Sequence, residues 1–435
     1  MTRKIAQIYK AMKEKFLHYV WKYKLLDFNR LKTIDGERIY IVNTGQENTN
    51  TGPDFFNAKI EIEGQLWFGN VEIHIKSSDW YLHKHEKDEN YDAVILHVVF
   101  ENDATIFMKN NKPLPTLELK NFIDKNVYDN YIALFFTENK WILCEQQLSK
   151  TDDFLMQNWL ERLFFERLER KAAVIKELLE KTNNDFEAVL FQLLAKNFGL
   201  KINGDAFLQL ASSVDYSIVR KLQKNELQLN ALLYGQAGFL NEDLEGTFYN
   251  ELQKEYEYVK HKHSLKGGMA KHQFQFFRMR PSNFPTIRIA QLSALYYKQH
   301  HLFSKIMSAD SVSDLYVLFD VEITDFWKTH YTFEKESKKS IKKLTKSFKD
   351  LLIINTILPL KFVYLKSIGK LEEEVFISLL EQINPEKNSI ITKFNEIGVK
   401  TESAFKTQAL LELKNSYCNN KDCLKCAIGN RLLRK

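Results

Sequence analysis

The sequence predicts an α+β domain over residues 1–135, followed by a large all-α domain over residues 136–435. Between Arg38 and Leu119, short runs rich in Val, Ile, Phe and Thr are separated by Gly, Asn, Asp or Pro, a pattern typical of strands. From Thr151 onward, apolar residues recur every three or four positions, as in amphipathic helices. Glycine (15) and proline (7) are scarce, which favours long regular helices and few linkers.

Local patterns predict the individual elements of the N-terminal domain. Residues 5–27 space their apolar side chains at helical intervals and predict a first helix. Glu63–Gly64 resembles a hairpin tip, and Ser78 or Asp79 could begin a short helix or shape a loop. The run Ala93–Phe100 is apolar on both faces, which predicts a central strand covered on both sides. The expected result is a mixed sheet with helices packed on it.

Composition narrows the class of protein. The net charge is +6, from 62 basic and 56 acidic residues, which is compatible with a polyanionic partner. The N-terminus is too charged for a secretory signal, and no long uncharged apolar stretch occurs. We therefore expect a cytoplasmic protein without a membrane partner, whose cysteines are reduced thiols or metal ligands rather than disulfides.

A candidate catalytic site lies in two neighbouring strands. Asp54 follows a proline at the start of one strand, and Glu72, His74 and Lys76 alternate along the next. Side chains two apart on a strand share a face, and Asp54 would lie beside Glu72 if the strands form a hairpin. Two adjacent carboxylates provide the hard oxygen ligands that Mg²⁺ or Mn²⁺ prefers. Such a metal ion activates water for attack on a phosphate, which suggests a hydrolase.

This arrangement, over roughly the first 110 residues, resembles the PD-(D/E)xK nuclease superfamily. Its restriction-endonuclease-like core is a helix, three strands, a helix and a strand, with Pro-Asp at one strand and Glu-x-Lys on the next. Pro53–Asp54 and Glu72 match, whereas His74 occupies the position of the usual lysine. The resemblance implies that Asp54 and Glu72 bind the metal, that His74 is the catalytic base or donor, and that Glu14 on the first helix is a further acid.

The histidines support a second interpretation. His83 and His85 form a His-x-His pair that would share a face on an extended backbone. With His74 and Asp88 they could form a His/carboxylate metal site, for example for zinc. His97, on an apolar strand, is more typical of a hydrogen-bonded core histidine than of a ligand.

The cysteines predict a separate metal site. Cys418, Cys423 and Cys426 form a C-x4-C-x2-C motif, and Cys144 could supply a fourth ligand to Zn²⁺ or an iron–sulfur cluster. Some nucleases of the same superfamily carry a [4Fe–4S] cluster on one remote cysteine and three near the C-terminus. There the remote cysteine precedes the nuclease core, whereas here it follows it. That likeness favours iron–sulfur slightly.

In the helical part, Arg278, Arg280 and Arg288 lie among phenylalanines and could bind nucleic-acid phosphates and bases, or could serve a proline-bent structural connection. Across nearly the whole chain, runs such as GPDFFNAKIEIEG and RPSNFPTIRIAQLSAL are similar to an uncharacterised bacterial family of unknown function. That likeness implies no activity.

Three functions therefore remain open. The first is a metal-dependent nuclease acting on DNA or, less readily, RNA. The second is a non-catalytic nucleic-acid-binding or scaffold protein that retains the nuclease fold. The third is a metallo-phosphoesterase built on His and Asp.

Overall fold

The computed structural model describes residues 13–136 and 140–435, so the first part of the predicted helix 5–27 lies outside the described residues. The chain forms two compact units. The first contains the described residues up to Trp159 together with Glu396–Val399 and Leu413–Lys435, and the second contains Leu160–Asn395 and Lys400–Glu412. The cysteine-rich tail thus belongs to the same unit as the N-terminal sheet.

The first unit contains a mixed sheet with short helices around it. Its strands are β1 (Ile39–Asn43), β2 (Gln46–Glu47), β3 (Phe55–Ile62), β4 (Gln65–Lys76), β5 (Val94–Glu101) and β6 (Thr116–Glu118). Its helices are α1 (Glu14–Lys22), α2 (Asp79–Leu82), α3 (Lys125–Phe135), α4 (Glu145–Leu148) and, at the C-terminus, α20 (Ala427–Leu433).

The sheet runs in the order β1-β3-β4-β5-β6, with β2 paired to β3. Strands β3 and β4 form an antiparallel hairpin, whereas β5 lies parallel to β4 and to β6. The hairpin turns at Glu63 and Gly64, which have φ values of 46° and 78°. Positive φ at both central residues matches the twist of a two-residue hairpin. The predicted hairpin tip and central strand are both confirmed.

The second unit is helical, as predicted. Its longest helix, α5 (Asp153–Lys181), begins in the first unit. Helix α11 (Pro285–Lys298) is buried along nearly its whole length, which makes it the central helix of this core. The remaining helices are α6 (Phe186–Phe198), α7 (Leu200–Ser212), α8 (Tyr216–Leu222), α9 (Glu226–Gln236), α10 (Thr247–Lys262), α12 (Leu302–Ser308), α13 (Val312–Leu318), α14 (Phe326–Thr329), α15 (Lys346–Leu352), α16 (Leu358–Ser367), α17 (Glu373–Glu381), α18 (Ser389–Glu396) and α19 (Ala404–Glu412).

The tail closes the first unit on its N-terminal elements. Helix α20 packs against α3, and Asn130 on α3 donates a hydrogen bond to the carbonyl of Leu433. The guanidinium of Arg434 lies over the ring of Tyr23, 4.5 Å from its centre. Among the described residues, no helix combines the length and apolar character that crossing a bilayer requires.

Candidate metal centres

The β3–β4 hairpin brings two acidic residues together. Phe55 pairs with Val71, so Asp54, just before β3, lies beside Glu72. The Asp54 amide donates a hydrogen bond to Glu72 Oε2 over 3.1 Å. The Ile73 amide in turn donates to Asp54 Oδ2 over 2.9 Å. Backbone groups therefore hold both carboxylates, and a register shift between Phe55 and Ala58 in the hairpin sets Asp54 beside Glu72.

Helix α1 adds two side chains to this pair. It packs against β4 and presents Glu14 and His18, which share a face because they lie four residues apart. His18 Nε2 lies 3.3 Å from Asp54 Oδ2. Glu14, His18 and Asp54 each offer one ligand atom, and these atoms lie within 4.8 Å of one another. The i, i+4 spacing to Glu14 is the signal from which His18 could have been identified in the sequence.

In the carboxylate cluster (Glu14, Asp54 and Glu72), burial and neighbouring negative charges raise the pKa of two of the three side chains. Burial, and then repulsion from Asp54, raises the pKa of Glu72 to about 9. The same two causes, in the same order, raise the pKa of Glu14 to about 7. Burial lowers the pKa of His18, but its contact with Asp54 outweighs this and raises the pKa overall. A bound cation would relieve the repulsion among the three carboxylates.

One consequence is that Glu72 lowers the free energy of unfolding of the metal-free protein as the pH rises. The unfolded chain ionises Glu72 near pH 4.5 and the folded protein near 9, so the stability of the wild type is lost progressively as the pH rises between these values. Glu72→Gln removes this loss and retains a hydrogen-bond acceptor. We expect the variant to be more stable than the wild type by about 1–3 kcal/mol at pH 8, and equally stable below pH 4.5. Urea unfolding of both proteins in chelator across this range measures the difference. A gap that does not change with pH would contradict the prediction.

Three histidines converge next to the carboxylates, and we call them the histidine cluster (His74, His83 and His85). His74 Nε2 lies 3.1 Å from His83 Nδ1. Glu72 Oε1 lies 3.4 Å from His74 Nε2 and 3.3 Å from His85 Nε2. One nitrogen from each of the three rings lies within 4.8 Å of the other two.

His74 lies inside the protein. Its side chain is 2% exposed, and its Nδ1 lies 2.9 Å from Nε2 of the fully buried His97. Burial, followed by the neighbouring histidines, lowers the pKa of His74 to about 2, so the ring is neutral. A neutral ring whose two nitrogens both have protein partners is better suited to bind a metal or to position Glu72 than to exchange protons with a substrate. His97 is a buried histidine that orients His74, in line with the core interpretation.

Two other predicted site residues have side chains that make no ion pair with these groups among the described residues, although the Asp88 amide donates a hydrogen bond to the His85 carbonyl. The Lys76 ammonium lies 3.6 Å from Asp103 Oδ2, and its side chain is 53% exposed. Asp88 accepts a hydrogen bond from the Asn90 amide and begins a short 3₁₀ turn. Glu72, rather than Asp88, is therefore the carboxylate that contacts the histidine cluster.

The fold brings the four cysteines, which we call the cysteine cluster, into the first unit. All four are free thiols, and Cys144 and Cys426 are buried. Burial, followed by the nearby Cys426, raises the pKa of Cys144 to about 12. Burial, followed by Cys144, raises the pKa of Cys423 to about 12. The thiols thus lie close enough to oppose one another's ionisation, although Cys144 is far from the others in sequence.

The local structure at Cys426 suits a metal-bound thiolate. Burial raises its pKa, while hydrogen bonds from the Gly429 and Ile428 amides to the sulfur oppose this. Gly429 also allows a close approach of the chain, because a Cβ at this position would lie 2.1 Å from the Cys423 carbonyl oxygen. Backbone amides directed at a sulfur stabilise its anionic form.

The three arginines predicted to bind nucleic acid, all in the second unit, have different environments. Arg288 is buried and donates hydrogen bonds to Gln291 and Asn283, and its guanidinium lies 3.7 Å above the Phe348 ring. These contacts serve packing, as in the structural interpretation. Arg278 and Arg280 are exposed.

Comparison with known proteins gives one match. A family model described as "Protein of unknown function (DUF2851)" matches residues 14–389. The match confirms the predicted membership of an uncharacterised family. No curated protein and no solved structure matches the chain.

Proposed function

The chain belongs to the DUF2851 family, and we propose that it is a divalent-metal-dependent nuclease that hydrolyses phosphodiester bonds in DNA. The observation that carries this proposal is that backbone hydrogen bonds hold Asp54 beside Glu72, while Glu14 and His18 each offer a ligand atom within 4.8 Å of that of Asp54.

The order of the elements supports the proposal. Apart from the two-residue strand β2, helix α1, strands β1, β3 and β4, helix α2 and strand β5 occur in the order of the core of the PD-(D/E)xK nucleases. The carboxylates also fall on the corresponding elements, with Asp54 at the start of the second of these strands and Glu72 on the third. The histidine at position 74 remains a departure from the lysine of that motif.

Each residue of the site would have a distinct role in the reaction. The carboxylate cluster would hold Mg²⁺ or Mn²⁺, which activates water and offsets the charge that builds up on the phosphate. His18, whose Nε2 lies beside Asp54 and whose side chain is 20% exposed, would accept the proton of the attacking water. Water attacks phosphorus, the bond to the leaving sugar oxygen breaks, and that oxygen takes up a proton.

The cysteine cluster would hold a second kind of cofactor, either a [4Fe–4S] cluster or Zn²⁺. Neighbouring thiols hinder the ionisation of Cys144 and of Cys423, and a cation that replaced the protons would remove this repulsion. In the first unit this site would fix the tail next to α3 and α1, and α1 carries Glu14 and His18.

DNA is the proposed partner. In the second unit, the exposed Arg278 lies over the ring of Phe277, which is itself 77% exposed. Arg280 lines a cleft of about 600 Å³ that also contains Lys342, Lys343 and several hydroxyl side chains. Exposed arginine and aromatic side chains are the groups that bind phosphates and stack on bases.

The proposal is tested with anaerobically purified protein and end-labelled linear single- and double-stranded DNA, with Mg²⁺, Mn²⁺ or chelator. We expect cleavage only with a divalent metal ion, and none from Glu72→Gln. Asp92→Asn, an exposed change of the same charge in the same unit, is the matched control and should cleave like the wild type. A folded wild type that cleaves neither DNA with either metal would refute the nuclease function and favour a binding or scaffold role.

A further inference from the structure

We propose that the histidine cluster and Glu72 form a second metal site, which binds a transition-metal dication such as Zn²⁺. Glu72 would then lie between two cations, with Oε2 on the side of Asp54 and Oε1 on the side of the histidines.

The three histidines each offer a ring nitrogen within 4.8 Å of the other two, and three separations among the proposed ligand atoms match those around a tetrahedral ion. Zinc–nitrogen bonds of 2.0–2.1 Å place neighbouring ligand atoms about 3.3 Å apart around a tetrahedral centre. The observed separations are 3.1 Å from His74 to His83, 3.4 Å from His74 to Glu72 and 3.3 Å from His85 to Glu72. His85 Nε2 is buried and has no hydrogen-bond partner, so its lone pair is available to a metal.

The backbone between the two neighbouring histidines is shaped for this convergence. Lys84 adopts a left-handed conformation with φ of 63°, between the end of α2 and a 3₁₀ turn that begins at His85. A lysine gains nothing locally from this conformation, so the surrounding structure must impose it. It directs both rings toward His74 although the segment is not extended.

Neighbouring rings hold the ligands in place. The His85 ring stacks on Tyr91 with 3.8 Å between ring centres. His74 Nδ1 contacts His97, the kind of outer partner that metal-bound histidines have. If His74 donates this hydrogen bond, Nε2 keeps its lone pair for the metal. His83 is exposed, which provides a route for an ion from solvent.

A contribution of this ion to catalysis rests on the proposed nuclease function, whereas its binding does not. Two cations on either side of one carboxylate can stabilise both the attacking and the leaving oxygen of a phosphoryl group. Nitrogen-rich sites select zinc or cobalt over magnesium, so the two sites would differ in the metal they prefer.

The chain offers a matched control for the test. His261–Lys262–His263 repeats the tripeptide His83–Lys84–His85 at the end of α10, where Lys262 is helical. We would titrate metal-free protein with Co²⁺ under anaerobic conditions, and compare wild type, His83→Ala/His85→Ala and His261→Ala/His263→Ala. Ligand-field absorption without thiolate-to-cobalt charge transfer reports the nitrogen site separately from the cysteines.

We expect the wild type and the control to bind one Co²⁺ equivalent that the His83→Ala/His85→Ala variant loses or binds at least about 10-fold more weakly. Equal binding in all three proteins would overturn the proposal. Asp54→Asn should still bind this Co²⁺ equivalent but should not cleave DNA. If the wild type binds the equivalent and does not cleave DNA, the nuclease function is refuted and the second metal site stands. If the double variant does not fold, NMR spectra of ¹⁵N-histidine-labelled wild-type protein provide the test. The ring nitrogens of His83 and His85 should change chemical shift when Zn²⁺ is added, and unchanged shifts would overturn the proposal.

Discussion

Asp54→Asn should reduce metal-dependent DNA cleavage by about 10³-fold or more, with little change in folding. Asparagine retains an oxygen that can accept the hydrogen bond from the Ile73 amide, so the end of the hairpin should keep its geometry. It removes the negative charge, however, and a neutral amide is a much weaker ligand for Mg²⁺ than a carboxylate. Loss of one preorganised electrostatic contact at a reacting phosphate costs about 10²–10³ in rate, and loss of the metal costs more.

The measurement is single-turnover cleavage of labelled DNA at saturating Mn²⁺, with circular dichroism to verify folding. Asp92→Asn serves as the charge control. If Asp54→Asn retains cleavage within about threefold of the wild type, Asp54 is not a ligand of the catalytic metal. A full rescue at very high Mn²⁺ would instead place the defect in metal affinity and leave the role of Asp54 intact.

Cys423→Ser should remove the metal of the cysteine cluster and destabilise the first unit. Serine has nearly the same size, but its hydroxyl does not ionise to form a strong ligand for zinc or iron–sulfur. Bound structural metals contribute a large part of the folding free energy of their domains, so we expect a loss of about 3 kcal/mol or more. Elemental analysis for iron and zinc, the visible spectrum and urea unfolding measure the two effects.

Lys425→Ser is the matched control, because Lys425 is exposed and lies between Cys423 and Cys426. It should keep both the metal content and the unfolding midpoint. A brown protein with iron would identify the cluster, and a colourless protein with zinc would identify the alternative. A Cys423→Ser protein as stable and as metal-rich as the wild type would exclude this cysteine as a ligand.

The sequence predicts the site best where local pairing determines it. A hairpin with its tip at Glu63–Gly64 predicts that Asp54 lies near Glu72, but the exact pairing depends on a register shift between Phe55 and Ala58 that the sequence pattern does not reveal. His83 and His85 were expected to share a face as an extended pair, and they meet for another reason, the left-handed Lys84. Local sequence does not predict that conformation, because tertiary contacts impose it.

The positions of two further side chains depend on tertiary structure that the sequence pattern does not predict. His18 was missed because the helix pattern reveals its spacing from Glu14 but not which face meets the sheet. Lys76 shares a strand face with Glu72 by alternation, yet its long side chain reaches Asp103, just after the end of β5. Strand alternation determines on which face of the sheet a side chain leaves the backbone. For a lysine, the flexible methylene groups then determine where the ammonium lies.

The tail imposes a delay on the folding of the first unit during translation. Between Trp159 and Leu413 the ribosome must add about 250 residues before the segment that completes this unit is made. At about 5–20 residues per second this takes roughly 10–50 s. Throughout that interval Cys418, Cys423 and Cys426 have not yet been made while Cys144 has, and the surface of α3 that α20 later covers stays exposed. The nascent chain is therefore most vulnerable to thiol oxidation and aggregation while its second unit is being synthesised.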